Sequence, residues 1–176
     1  KRLRDFKRSQ SLNSEQGGSE HGSARSETGS NSGLPIACMS AKAAAKQSWE
    51  RIQALGVEHV GEATLRKFFE LSPGPKALFA NVEGGKSTLG SIAAKMLDVV
   101  GTVAVAEQHD VQRLVPTLAQ MGVRHASYGV REEHFPRMAA ALHDTLSDAL
   151  GEECYTREVQ SAWDIAFGFA SAAMMG

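Results

Sequence analysis

Apolar side chains recur every three or four positions from Ser40 to the end of the chain, and this spacing limits the fold more than any other feature of the sequence. Side chains three or four residues apart share one face of an α-helix. No stretch keeps the alternation of apolar and polar residues that a half-buried β-strand requires. The apolar stripes are wider than the two-in-seven seam of a coiled coil. The sequence therefore predicts an all-α domain of about six to eight helices around a shared core.

Residues with strong preferences for helix ends separate the helical segments. Ser40 is a suitable N-cap for a first helix, and Gly56 is a suitable C-terminal stop. Pro73 and Pro75 limit the stretch that ends at Phe79 to a short helical turn, because each fixes the backbone and removes a hydrogen-bond donor. The predicted long helices cover about residues 40–56, 60–71, 87–106, 110–128, 135–150 and 157–176, with Ser87 and Asp110 as the N-caps of the third and fourth.

The N-terminal segment, residues 1–39, differs in composition from the rest of the chain. Lysine, arginine, serine, glycine and glutamate dominate residues 1–33, whose large apolar side chains are Leu3, Phe6 and Leu12. These are too few to offset the entropy lost on ordering. The sequence predicts a disordered tail at 1–39 and one folded domain at 40–176. The basic start of the tail also resembles a docking patch or a kinase site, but a solvated linker explains its composition more simply.

The charge and the cysteine content limit the classes of function. The 19 basic and 20 acidic residues leave a net charge of -1, so the chain as a whole has no field that favours nucleic acid or an anionic membrane. Cys38 and Cys154 are far apart in a chain long enough to form its own core, which favours free thiols in a reducing compartment. No apolar run approaches the roughly 20 residues of a membrane helix. We therefore expect a cytoplasmic protein that binds neither nucleic acid nor a membrane.

One histidine, His125, shares a helix face with the predicted core. It follows Met121 by four residues and Leu118 by seven. A histidine on an apolar face is more commonly hydrogen-bonded to a backbone carbonyl than bound to a metal. No cysteine, histidine or carboxylate nearby has the spacing of a zinc site. A metal at His125 must therefore bring most of its own ligands, as iron does in haem.

Three segments resemble the globin family. LAQMGVRHASYGVREEHFPRM, residues 118–138, resembles the end of the globin F helix and the start of the G helix, with His125 at the position of the proximal haem ligand. LRKFFELSPGPKALF, residues 65–79, resembles the B helix, the C-helix proline and the corner phenylalanine. SAW, residues 161–163, resembles the start of the last globin helix. The resemblance extends over about residues 40–176 and implies a globin fold that holds haem b (iron protoporphyrin IX).

The resemblance also implies a role for individual side chains. His125 would be the axial ligand of the iron, and Lys95 would pair with a haem propionate. The other implied haem contacts are Phe79, Val130 and Met121, and the implied lining of the gas pocket is Leu65, Ile92 and Met96. Ile92 aligns with the usual distal histidine, whereas a one-residue slip would place Ala93 and Leu97 in the pocket instead. Met96 is an alternative sixth ligand of the iron, although simple packing is the preferred interpretation.

The apolar distal side departs from the common globin pattern. A distal histidine or glutamine donates a hydrogen bond to bound dioxygen, which contributes about 1–3 kcal/mol. Leu65, Ile92 and Met96 have no such donor. We therefore expect oxygen affinity to be roughly ten- to a hundredfold lower, with smaller effects on carbon monoxide and nitric oxide.

The resemblance favours a protein that reversibly binds O2, CO or NO at haem iron. A first alternative is a nitric oxide dioxygenase, which needs an external reductase because no flavin or nicotinamide domain is present. A second is a haem-based gas or redox sensor whose tail or partner responds to the iron. A third is a globin scaffold that has lost haem, which the presence of His125 and Phe79 disfavours.

The glycine-rich segment ANVEGGKS, residues 80–87, fits a loosened phosphate-loop pattern. Such a loop follows a buried parallel strand, and the sequence predicts no sheet. A corner of the chain is the preferred interpretation of this segment.

Overall fold

The computed structural model describes residues 40–79 and 88–176. Its helices, in chain order, are α1 (Ala41–Leu55), α2 (Val57–Leu71), a 3₁₀ helix (Gly74–Phe79), α3 (Leu89–Val105), α4 (Gln108–Ser127), α5 (His134–Leu150) and α6 (Arg157–Met175). No β-strand occurs in the two described ranges, so the prediction of an all-α fold is confirmed. The predicted tail, residues 1–39, and the glycine-rich segment, residues 80–87, lie outside the described residues. None of the described helices combines the length and the apolar character needed to cross a membrane.

The helix ends follow the local chemistry of the sequence, with two differences from the prediction. Ser40 caps α1 as expected, since its side chain accepts a hydrogen bond from the backbone N–H of Ala43 at 3.3 Å. The N-cap of α3 is Thr88, whose Oγ1 accepts from the N–H of Ser91 at 3.1 Å, whereas the predicted cap Ser87 lies outside the described residues. The prediction of Asp110 as a cap is wrong. The helix begins at Gln108, and Asp110 lies in its first turn, where a carboxylate is also favourable to the helix dipole.

Two tryptophans join α1, α3 and α6 at the centre of the core. Trp49 and Trp163 meet edge to face, with ring centroids 6.1 Å apart. Trp163 is completely buried, and its indole N–H donates to Oγ of Ser48 at 3.0 Å, so burial leaves this polar group satisfied. Gly101 lies beneath the Trp49 ring, where a Cβ would be 2.5 Å from ring carbons. The absence of a side chain at Gly101 therefore lets α3 approach α1 closely.

A second close helix contact occurs where α2 crosses α3. A Cβ at Gly61 would lie 2.6 Å from the carbonyl oxygen of Ala93, and Ala93 itself is completely buried. The backbones of α2 and α3 therefore touch at this point. Because Leu65 is one turn after Gly61 and Ile92 is adjacent to Ala93, the crossing fixes the relative position of these two predicted pocket residues.

The position of α4 depends mainly on α6. Among the described helices, α6 is the one that α4 packs against closely, whereas α3 packs mainly on α1, α2 and α6. A Cβ at Gly122 would collide with the carbonyl of Met174, so a glycine is needed where the two helices meet. Although consecutive in the chain, α3 and α4 are thus not packed closely on one another. Ile92 on α3 and His125 on α4 are both half-buried, so each keeps some accessible surface.

Candidate functional site

The imidazole of His125 is held in one orientation by its own helix. Its Nδ1 lies 2.9 Å from the carbonyl oxygen of Met121, one turn earlier in α4. A carbonyl oxygen only accepts, so Nδ1 carries the proton and donates. In the neutral ring Nε2 then has a free lone pair, and within the described residues it has no hydrogen-bond partner. Metal-ligating histidines have this arrangement, in which one ring nitrogen is fixed by a backbone carbonyl and the other is available.

Helix α4 ends shortly after His125. Tyr128 occupies the C-cap of α4, and Gly129 has a φ of +89°, a conformation that glycine adopts at little cost. The N–H of Val130 then donates to the carbonyl oxygen of His125 at 3.0 Å. This bond holds Val130 next to the turn that carries His125. The side chains of Met121, His125 and Val130 are all half-buried.

The predicted distal residues lie on α2 and α3. Leu65 is almost completely buried on α2. Ile92 and Met96 are half-buried and stand one turn apart on α3, beside the fully buried stripe that contains Ala93 and Leu97. Ala93 faces the crossing with α2, since it is the residue that Gly61 approaches. The two predicted alignments of α3 therefore differ in burial. Ile92 and Met96 retain accessible surface, whereas Ala93 and Leu97 have none.

The two remaining predicted haem contacts differ in exposure. Phe79 ends the 3₁₀ helix, is half-buried and packs edge to face on Phe69, with ring centroids 5.2 Å apart. Phe69 thus fixes the Phe79 ring against α2, a contact that the sequence did not predict. Lys95 is exposed on α3, one residue before Met96, so its ammonium group reaches solvent at the edge of this face.

The donor set fits haem better than a metal ion held by protein alone. No cluster of three or more histidine, cysteine or carboxylate side chains in the described ranges is arranged to bind a metal. His125 instead offers one nitrogen among half-buried apolar side chains. A porphyrin supplies the other four nitrogens and needs an apolar environment, so the residues present fit this group.

A polar cluster around His143, which the sequence did not predict, joins α5 to α6. The side chain of His143 is 15% exposed; its Nε2 lies 2.7 Å from Oδ1 of Asp164, and its Nδ1 meets the Tyr155 hydroxyl. Burial, and next the charges of Asp164 and Asp144, raise the pKa of Tyr155 well above its usual value. His143 precedes the buried Leu146 by three residues, and this helical spacing is the signal that could have located it.

Comparison with known proteins identifies the class to which this fold and site belong. The globin family model matches residues 62–174, and the chain belongs to the globin family. It is therefore a haem globin, as its sequence resemblance implied.

Individual relatives agree with this assignment. The chain is 30% identical to leghemoglobin-1 of Lupinus luteus over 134 residues, covering 69% of this chain and 82% of that protein. It is 27% identical to an anaerobic nitrite reductase of Gossypium hirsutum over 133 residues, covering 69% of this chain and 81% of the relative. A 73-residue match to the flavohemoprotein of Bacillus subtilis is 30% identical but covers 42% of this chain and 18% of that protein.

Proposed function

We propose that this globin holds haem b through Nε2 of His125 and that the iron of this haem would reversibly bind a diatomic gas. The hydrogen bond from Nδ1 of His125 to the Met121 carbonyl carries the proposal. In the neutral ring it places the proton on Nδ1, leaves the lone pair of Nε2 available and fixes the plane of the ring, as an axial ligand requires. When bound, the haem iron supplies the coordination position for O2, CO or NO.

The chain's own residues would hold the macrocycle by apolar contact. Phe79, fixed by its edge-to-face contact with Phe69, and Val130, fixed by its bond to the His125 carbonyl, are suited to press on the porphyrin. Met121 would contact it from the His125 side. Lys95 is exposed and would pair with a propionate in solvent, an interaction worth less than about 1 kcal/mol.

On the gas side, the proposed lining consists of Leu65, Ile92 and Met96. The choice of Ile92 over Ala93 is supported by the position of Ala93 in the contact between α2 and α3. All three side chains lack an N–H or O–H group, so a gas that acquires negative charge gains no hydrogen bond from them. They exclude water instead. A hydrogen-bond donor in the pocket raises the affinity for dioxygen more than the affinity for carbon monoxide. We therefore propose that the ratio of O2 affinity to CO affinity is low in this protein.

The ratio of O2 to CO affinity tests this proposal directly. We expect Ile92→His, which adds a donor, to raise O2 affinity roughly ten- to a hundredfold while changing CO affinity by less, as the 1–3 kcal/mol of such a bond implies. Ile92→Leu is the matched control, because it keeps the volume and the apolar character and should leave the ratio unchanged. Flash photolysis and rapid mixing give both affinities. An unchanged ratio in Ile92→His would contradict the assignment of Ile92 to the gas pocket.

The second candidate function is the reduction of nitrite. It is favoured because three relatives, from Gossypium hirsutum, Oryza sativa and Arabidopsis thaliana, are named anaerobic nitrite reductases. Reduction of nitrite to nitric oxide and water consumes two protons and one electron, and the proposed lining residues have no proton donor. We therefore expect slow nitrite consumption by the reduced protein. Consumption that is accelerated in Ile92→His would support this reasoning. Nitric oxide consumption with an added reductase tests the dioxygenase alternative.

A further inference from the structure

A surface groove of about 360 Å³ lies between the start of the 3₁₀ helix and the connection from α4 to α5. One wall is apolar and consists of Pro73, Pro75 and Leu78. The opposite wall carries Arg131, Glu133, His134 and Arg137, and Ser72, Gly74 and Gly129 complete the lining. The groove includes none of the residues assigned above to the haem or the gas pocket. Its volume is at the lower end of the range for small-molecule sites.

Arg137 is a preorganised cation in this groove. Its Nη1 donates to Oγ of Ser72 at 2.8 Å, and Ser72 is almost completely buried at the end of α2. One bond uses one of the five N–H donors of a guanidinium, so the group is held in place with donors remaining. The side chain therefore reaches from α5 across the floor of the groove without losing its capacity to bind an anion.

Arg131 and His134 add donors on the same wall. Within the part of the chain that the structure describes, the Arg131 guanidinium has neither a hydrogen bond nor an ion pair. The backbone N–H of Arg131 donates to Nδ1 of His134 at 3.1 Å, so the proton of the neutral imidazole is on Nε2. That nitrogen is 4.0 Å from Oε1 of Glu133, too far for a hydrogen bond. Its N–H remains available for an acceptor in the groove.

The charges on the wall favour an anion. The lining carries two guanidinium groups, those of Arg131 and Arg137, and one carboxylate, that of Glu133. It therefore has an excess of positive charge. A guanidinium matches the oxygen pairs of carboxylates and phosphates in a bidentate manner. The apolar wall opposite offers contact to a hydrocarbon part of the same molecule.

We propose that this groove binds a small organic oxyanion. Its carboxylate or phosphate lies between Arg131 and Arg137, and its apolar part lies on the wall of Pro73, Pro75 and Leu78. The proposal is independent of the gas-binding function, because it depends on the groove alone.

Isothermal titration calorimetry on the full haem-loaded chain tests the site, with phenyl phosphate, benzoate and inorganic phosphate as probes. We expect at least one aromatic anion to bind saturably and more tightly than inorganic phosphate. The stronger of phenyl phosphate and benzoate identifies the preferred anionic group. Absence of saturable binding for all three at millimolar concentration overturns the proposal.

Two substitutions should change the affinity for the aromatic anion in opposite directions. Both leave the hydrogen bond between Arg137 and Ser72 intact. Arg131→Gln should weaken binding of the aromatic anion about tenfold or more, the size expected for a charge-assisted hydrogen bond. Glu133→Gln removes the repulsive carboxylate and should strengthen binding about two- to fivefold. Arg66→Gln is the matched control, since Arg66 is exposed on α2 and does not line the groove. Equal affinities in Arg131→Gln and Arg66→Gln would place any binding elsewhere and refute the assignment.

Discussion

Replacing Gly61 by alanine tests the close crossing of α2 and α3 that positions the proposed gas pocket. The new methyl group would lie 2.6 Å from the carbonyl oxygen and 3.1 Å from the Cβ of Ala93. Ordinary contacts are closer to 3.5 Å, so the two helices must separate by on the order of 1 Å. Because Ala93 has no accessible surface and the partner atoms are backbone, the strain has no flexible side chain to absorb it.

The net effect combines two terms of opposite sign. Overpacking in a core costs about 1–3 kcal/mol, and alanine in place of glycine within a helix gains up to about 1 kcal/mol. Gly168→Ala is the matched control, because Gly168 is a helical glycine on α6 with no atom within 4 Å of the added Cβ. Gly168→Ala should therefore show only the gain in stability that alanine gives over glycine in a helix. We expect Gly61→Ala to be about 1–3 kcal/mol less stable than Gly168→Ala, which corresponds to roughly 3–5 °C in Tm per kcal/mol for a domain of this size.

Urea unfolding followed by far-ultraviolet circular dichroism measures the free energies of both variants. Gas association rates should also change in Gly61→Ala, since the crossing lies beside Leu65 and Ile92. Equal stability of the two variants, within about 0.5 kcal/mol, would refute the account of the crossing.

Two further predictions concern single side chains. Burial raises the pKa of Tyr155 in the folded state above its unfolded value, so the associated stability is complete below about pH 10 and is lost as the pH rises further. The urea midpoint should fall above pH 10 less steeply in Tyr155→Phe than in Tyr128→Phe, where the altered tyrosine is exposed. Met96→Leu should leave the ferrous absorption bands unchanged, because the proposal gives Met96 a packing role alone; loss of six-coordinate bands would show that it ligates the iron.

The helical fold was predictable because its signals are local. The apolar spacing predicted the helices, and α1 begins after Ser40 and ends before Gly56 as expected, since capping depends on residues within one turn. Thr88 was missed because Ser87 and Thr88 have equivalent hydroxyl groups in adjacent positions. Glu107 was missed as the residue before α4 because it makes no side-chain capping bond.

Long-range contacts were not predictable in the same way. The spacing of His125 and Met121 placed both on one face, and the hydrogen bond between them is local to one turn of α4. By contrast, nothing in the sequence around Gly61 indicates that it contacts Ala93. The same holds for Gly122 and its neighbour Met174. The link from Arg137 to Ser72 joins residues 65 positions apart, so it depends on the packing of α5 on α2 and is visible only in the folded chain.

The proposed axial bond from His125 is tested most directly by removing and then replacing the imidazole. The haem-loaded His125→Gly variant should lose the absorption bands of the wild-type protein, and added free imidazole should restore them by filling the vacated position. His59→Gly, which removes an exposed histidine of α2, should keep the wild-type spectrum throughout. A His125→Gly protein with unaltered bands and no response to imidazole would contradict ligation by His125.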